Sequence, residues 1–373
     1  MKLERKVLFT ASTFSHIRNF HLPYLAWFRD RGWEVHAACG GEQAHIPQAD
    51  RVIALPFEKR MASPQNFRAA AILRDLIRRE GYALISTHTS LAAFFTRLAV
   101  KGMRDRPKVA DIVHGYLFDD DTPALKRGLL LAAERLTAPE TDLLLTMNDW
   151  DFQCAQKRRL GRRVERIPGM GVDFAPLDRG GPEAGRALRR ELGLPEDAFL
   201  LLYPAEFSRR KSQRVLIEAM PMLPENCVLA LPGQGALLEE CRDLAGALGL
   251  ARRIIFPGQA ADMAPWFAAA GAAVSASRGE GLPFNVMEAM HRGLPVAASR
   301  VKGHTDLIED GTTGLLYPYG DAAACAAAVR ALLELPDRGR EMGRRGAERA
   351  ERFRLDRVLP EVAGLYGQLM PPG

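Results

Sequence analysis

The sequence predicts an α/β protein made of two doubly wound parallel sheets, each covered by helices on both faces. Three observations lead there. Short apolar runs alternate with amphipathic helical stretches from end to end, the order that makes neighbouring strands parallel. At 373 residues the chain is long for one core and suits two domains. A charged stretch with glycine and proline, 178–195, separates two such series and contains Gly180-Gly181-Pro182. Two domains of this kind would face each other across a cleft and take ligand at the carboxyl ends of their strands.

In the first series, Val7–Ala11 reads as a buried strand and Phe20–Arg31 as a helix with Leu22, Leu25 and Phe28 on one face, stopped by Gly32. Strands follow at 34–38 and 52–55, then a helix at 66–79. Further strands are expected at 84–87, 109–114 and 143–146, with helices between them. The second series places strands at 199–203, 228–231, 254–256, 272–275 and 295–298. Its helices are expected near 213–220, 237–248, 263–269, 284–291 and 322–335. The segment from Leu355 to Met370 is an amphipathic helix carrying Val358, Val362, Leu365, Tyr366 and Leu369. The expected domains are 1–176 and 177–354.

Composition narrows the function. The chain is 47% hydrophobic and 26% charged, an ordinary globular balance, and no apolar run is long enough to span a bilayer. Met1 leads through a short basic run into a strand, so no signal peptide is expected. Five scattered cysteines without Cys-x2-Cys spacing point to reduced thiols in a cytoplasm and not to a structural zinc site of that kind. Residues 1–172 hold 27 Lys+Arg against 19 Asp+Glu, a balance of +8; the remainder is at −2. Basic clusters at 97–108 and 157–166 suit an acidic partner such as an anionic membrane surface or a lipid-linked diphosphate. No nucleic acid is expected, because aromatics do not interleave the basic stretches.

The most informative segment is Ser275 to Met290, where Glu280 and Glu288 are separated by seven residues. A buried strand ends at Ser275, and Gly279 and Gly281 let a ligand approach the backbone. A helix then starts near Pro283. Its free amides and positive dipole end make a natural seat for phosphate. One carboxylate sits at the mouth and the second lies about a turn and a half along the helix. Arg209, Arg210 and Lys211 precede another helix, where three cations oppose the dipole unless an anion is present. His114 ends an apolar strand before Gly115, and His16, His21 and His88 lie at or near other strand ends of the first series. His45, His291 and His304 fit surface or supporting positions. The run Asp119-Asp120-Asp121 before Thr122-Pro123 reads as an N-cap cluster for a leucine-rich helix and not as a metal site. Ser12 to His16 lacks the Gly-x-Gly-x-x-Gly loop of an ordinary dinucleotide dehydrogenase.

These motifs together resemble family 4 of the retaining glycosyltransferases, of GT-B architecture, over nearly the whole chain. Glu280-x7-Glu288 resembles the family's signature, and Gly293-Leu-Pro-Val296 and Asp306 to Leu316 resemble its following segments. His16, Phe20-His-Leu-Pro-Tyr24, Thr87-His-Thr89, Val113-His-Gly-Tyr116 and Val301 to Ile308 are similar to the subgroup that builds capsular and extracellular polysaccharides. The sequence departs from the family at one place: Glu206 stands where an arginine is usual, leaving Arg209 or Arg210 to supply the second cation beside Lys211.

The resemblance implies a fold of two Rossmann-like domains, the first binding acceptor and the second a nucleotide sugar, with helix 355–373 crossing back onto the first. It implies transfer of a hexose or N-acetylhexosamine from a nucleotide-diphosphate sugar, UDP-linked, to a lipid-diphosphate-linked saccharide. Neither a metal nor another cofactor is implied. Localisation would be cytoplasmic, at the inner face of the plasma membrane, in a bacterial pathway. His114, Glu280 and Lys211 would be catalytic. Arg209, Arg210, Lys211, Pro257, Gly258, Gly281, Leu282, Pro283, Phe284, Asn285 and Glu288 would bind donor, and His16, His21 and His88 acceptor. An isomerase similar to UDP-N-acetylglucosamine 2-epimerase and a catalytically silent nucleotide-sugar-binding partner are the alternatives.

Overall fold

A computed structural model describes residues 4–370. The chain divides into two compact units, one holding the residues up to Met170 together with those from Asp356 onward, the other Gly171–Leu355. The first chain crossing therefore falls a few residues before the expected 176. The stretch 178–195, read as separating the two series, is largely helix Pro182–Glu191 within the second unit. Gly185 is the reason it packs there: a Cβ on it would meet the Ala268 carbonyl at 2.5 Å.

The first unit is a seven-stranded sheet of β1 (Glu4–Ala11), β2 (Glu34–Cys39), β3 (Arg51–Ala54), β4 (Tyr82–His88), β5 (Lys108–Val113), β6 (Leu143–Thr146) and β7 (Val164–Arg166). Its order is β3-β2-β1-β4-β5-β6-β7, and every pairing is parallel. Strands buried on both faces read as continuous apolar runs, as Val7, Leu8 and Phe9 do at 0% exposure. Helix Leu355–Gly367 belongs to this unit and buries Val358, Val362, Ala363 and Tyr366. The Tyr366 hydroxyl lies 2.7 Å from Ser86 Oγ on β4.

The expected single helix 20–31 is two helices, Phe14–Phe20 and Leu22–Arg29, broken at His21. Pro23 lies in the first turn of the second helix, where a missing N–H costs least. His16 is thus on a helix and His21 at a helix junction, not at strand ends.

The second unit is a six-stranded sheet of β8 (Phe199–Leu202), β9 (Cys227–Ala230), β10 (Ile254–Ile255), β11 (Ala272–Ser275), β12 (Val296–Ser299) and β13 (Leu315–Tyr317), in the order β10-β9-β8-β11-β12-β13 and again parallel. Strand order reverses between β1 and β4 in one unit and between β8 and β11 in the other. Loops leaving those strands diverge and open a crevice at their carboxyl ends, the place where doubly wound sheets take ligands. Among the described residues, no helix is long and apolar enough to cross a membrane.

The basic cluster at 97–108 is mostly neutralised internally. Arg97 is fully buried between Asp111 at 3.1 Å and Glu134 at 2.7 Å, and Arg106 pairs with Asp142 at 2.6 Å. The expected N-cap cluster also differs: Asp119 and Thr122 bond each other, and helix Ala124–Thr137 starts at Pro123 without a side-chain cap.

Candidate functional site

In the second unit, three loops leave the carboxyl ends of adjacent strands. After β8 the chain runs through Tyr203–Phe207 alongside the loop after β9, with Ala205 N–H donating to Pro232 O and Phe207 N–H to Gln234 O. Gly233 and Gly235 permit this approach. Their φ angles are +148° and +152°, and added Cβ atoms would sit 2.0 Å from Ala205 O and 2.4 Å from Phe207 O. Held in this way, the segment closes a tight turn in which Lys211 and Ser212 N–H both donate to Ser208 O. Ser212 adopts a left-handed conformation at φ 49°, a strain that persists only where the surroundings enforce it.

That turn aims its cations at the loop after β11. Lys211 Nζ and Arg210 Nη1 each lie 2.5 Å from one carboxylate oxygen of Glu280, which is buried. Burial alone would raise the Glu280 carboxyl. Lys211, then Arg210, reverse that and hold it down to about 2, so it is ionised at any physiological pH. Arg209 makes no ion pair among the described residues and is exposed. Of the two candidates to replace the arginine lost at Glu206, the geometry brings in Arg210.

The third loop, after β12, closes the back of this pair. Lys302 O accepts from Glu280 N–H at 3.2 Å, and Gly303, at φ +84°, leaves 2.8 Å between the position of an added Cβ and Glu280 Cβ. His304 is fully buried, its Nε2 3.0 Å from Ser275 Oγ and its Nδ1 2.8 Å from Ser299 O. Burial pushes its imidazole down to about 4, so it is neutral and ties β11 to β12. Tyr203 donates its hydroxyl to Lys211 O at 3.0 Å and sits 2.8 Å from Ser277 Oγ. Tyr203 and Ser277 were not singled out from the sequence, and Gly303 was flagged only as part of the stretch 301–308, with no site role. The signal for Gly303 was the adjacency of β11 and β12, which exists only once strand order is known.

Gly281, Leu282 and Pro283 are buried and lead into helix Phe284–His291, with Pro283 at the cap position rather than the first helical one. Their backbone, with that of Phe284, forms the helix mouth. Asn285 donates to Pro204 O at 3.0 Å, so its amide nitrogen braces the helix against the β8 loop. Glu288 lies further along, half-buried, and its carboxylate has no partner among the described residues. Burial raises it to about 7. Two glutamates in one helix-mouth motif are therefore driven apart in acidity, one by fixed cations and one by desolvation. Pro257 and Gly258 follow β10, and Gly258 O accepts from Gly233 N–H at 2.8 Å.

In the first unit the structure gathers His16, His21, His88 and His114. His88 ends β4, His114 follows β5, and His16 and His21 come from the helices after β1. Ring centroids of His21 and His88 lie 3.7 Å apart, and those of His16 and His114 4.4 Å. His21 and His88 are fully buried, so they cannot touch an acceptor directly; His16 and His114 are half-buried. Thr89, directly after His88, has φ 66° and is held by Ser12, whose N–H and hydroxyl both donate to its Oγ1.

Residues 186–349 match the family of glycosyl transferases group 1, and residues 21–169 the glycosyl transferase 4-like domain. EpsD of Bacillus subtilis strain 168, assigned as a glycosyltransferase, is 34% identical over 99% of this chain and 98% of its own length. A D-inositol 3-phosphate glycosyltransferase of Streptomyces avermitilis is 34% identical over 70% of this chain, and the match spans 59% of that protein. Among solved structures, HepE of Anabaena in complex with UDP superposes with a TM-score of 0.77 at 20% identity, covering 97% of this chain and all of that one. A sucrose-phosphate synthase of Thermosynechococcus elongatus gives 0.80 at 23% identity, covering 98% and 99%.

Proposed function

We propose, from the premise that the chain belongs to the glycosyl transferases of group 1 and has the GT-B fold, that it is a retaining, metal-independent glycosyltransferase of bacterial surface polysaccharide synthesis. The donor is a nucleotide-diphosphate sugar, UDP-linked, carrying a hexose or N-acetylhexosamine. The acceptor is a lipid-diphosphate-linked saccharide at the inner membrane face.

One observation carries this reading: Lys211 and Arg210 converge on Glu280 at the mouth of helix Phe284–His291. A departing diphosphate needs fixed cations and amides aimed at the charge that develops on it. Lys211, Arg210 and the amides of Gly281, Leu282 and Phe284 supply both, so stabilisation of the leaving group requires no metal. Glu280 keeps the two cations in place and faces the donor sugar. Glu288 accepts from the ribose hydroxyls, which a carboxylate with two oxygens does well. The backbone at Pro257 and Gly258 reads the base. Retention follows from front-face attack, in which the enzyme stabilises the separating charges. HepE was crystallised with UDP, which supports the choice of nucleotide.

Membrane attachment is supported by helix Ala124–Thr137. Leu125, Leu129 and Leu136 are 80%, 66% and 51% exposed on one face, with Lys126 and Arg135 also exposed. An apolar face edged by cations suits an anionic lipid surface.

The test is a panel of nucleotide sugars followed by NMR of the transferred anomer. A UDP-sugar should raise the melting temperature and be turned over with retained configuration. Binding without turnover of any donor would favour a silent binding partner. Interconversion of the nucleotide sugar without acceptor would favour an epimerase.

A further inference from the structure

We propose that His16, His21, His88 and His114 in the first unit bind one divalent transition-metal ion, with zinc the best chemical match. One ring nitrogen from each of the four lies within 4.8 Å of all the others. His16 Nε2, both nitrogens of His21, His88 Nδ1 and His114 Nε2 are buried and have no hydrogen-bond partner among the described residues. Orphaned buried polar atoms are costly, and four of these, one on each ring, call for a common partner.

The chemistry of the donors selects that partner. Each of the four rings has a buried, unpartnered nitrogen, and an imidazole offers its lone pair there to a metal ion. An all-imidazole set suits zinc, copper, nickel or iron and excludes magnesium and calcium, which take oxygen ligands. Zinc–nitrogen bonds of ~2.0–2.1 Å put tetrahedral ligands roughly 3.3 Å apart, so the widest-spaced ring nitrogens need to close by up to about 1.5 Å.

A supporting shell is in place on the side of His88. Its Nε2 lies 3.0 Å from Ser86 Oγ, which in turn lies 2.7 Å from the Tyr366 hydroxyl. With Nε2 as donor to Ser86, Nδ1 keeps its lone pair for the ion, as metal-bound imidazoles generally do. None of the described acidic groups joins the four histidines. Neutralisation therefore falls to hydroxide or an anionic ligand on the side of half-buried His16 and His114. This inference concerns the first unit alone and stands whether or not the donor site in the second unit is read correctly.

The test uses the untagged full chain, stripped with chelator and titrated with zinc against a chromogenic competitor, with cobalt(II) as a spectroscopic probe. One equivalent should bind per chain, raise the melting temperature and give the visible bands of a tetrahedral nitrogen-ligated cobalt(II). Substitutions His21→Gln and His88→Gln should each weaken binding by ~100-fold or more, and Ser86→Ala by about 10–100-fold. The far-UV circular dichroism spectrum and cooperative thermal unfolding of each metal-free variant serve as the folding control. If either histidine variant fails that control, the Ser86→Ala titration and the wild-type cobalt spectrum decide. The proposal is overturned if the wild-type chain binds neither zinc nor cobalt(II). It also falls if properly folded variants bind as tightly as wild type.

Discussion

On the proposed reading the chemistry turns on Lys211, a nearly buried cation paired with Glu280. Lys211→Ala should lower turnover by about 10²–10³, the cost typical of removing one preorganised group from a developing oxyanion. Steady-state rates at saturating donor check this. Glu280 and Glu288 make a second, sharper prediction. Glu280 stays ionised down to about 2, so its ion pairs do not titrate near neutrality. The folded value of Glu288 is raised to about 7 by burial, so ionising it works against folding as pH climbs from the ordinary carboxylate range through that value. If Glu288 accepts from the ribose as proposed, donor binding needs its ionised form and should strengthen over the same window. UDP affinity should therefore rise about tenfold between pH 6 and pH 8, and Glu288→Gln should flatten the part due to this group. Calorimetric titrations of both proteins at each pH would show it. The glutamate pair was legible because its spacing and flanking glycines are local. Its opposite electrostatics were not, since Lys211 and Glu280 are 69 residues apart and meet only across neighbouring strands.

At the scale of elements, the loops stay in place because glycines let backbones touch. Gly233→Ala and Gly303→Ala should each cost roughly 1–3 kcal/mol or more, from strain at positive φ plus collision with Ala205 or Glu280, read as a fall in melting temperature. Gly181→Ala, which meets nothing within 4 Å, is the control. Apolar strands such as 143–146 were readable to the residue because burial on both faces leaves mostly aliphatic side chains. Edge strand β7 was missed: Val164-Glu165-Arg166 is short and half-exposed, so its pattern is that of a loop. The break at His21 was also hidden, since Leu22, Leu25 and Phe28 keep helical spacing and only the turn before Pro23 interrupts it. That interruption moves His16 and His21 into the histidine cluster. No local pattern could show the four converging, because the β1-β4-β5 order brings them together.

At the scale of the whole molecule, the first unit is completed by the last helix of the chain. Tyr366 is fully buried, packs its ring at a tilt against Phe28 with centroids 5.5 Å apart, and reaches Ser86. Tyr366→Ala should destabilise this unit by about 3–5 kcal/mol, as other large aromatic truncations do. Hydrogen exchange would report it as lost protection in β1 and β4, with the six strands of the second unit unaffected. The alternation of strands and helices made this architecture legible from the sequence, whereas the placement of charge was not. Arg97 and Arg106 look like part of a basic surface until Asp111, Glu134 and Asp142 are seen beside them. The most direct measurement of the central claim is calorimetric titration of UDP into the wild-type chain and into Lys211→Ala. The wild type should bind one equivalent and the variant at least about tenfold more weakly, a loss of roughly 1.4 kcal/mol or more. Equal affinity in the two proteins, or no binding of UDP to either, would contradict it.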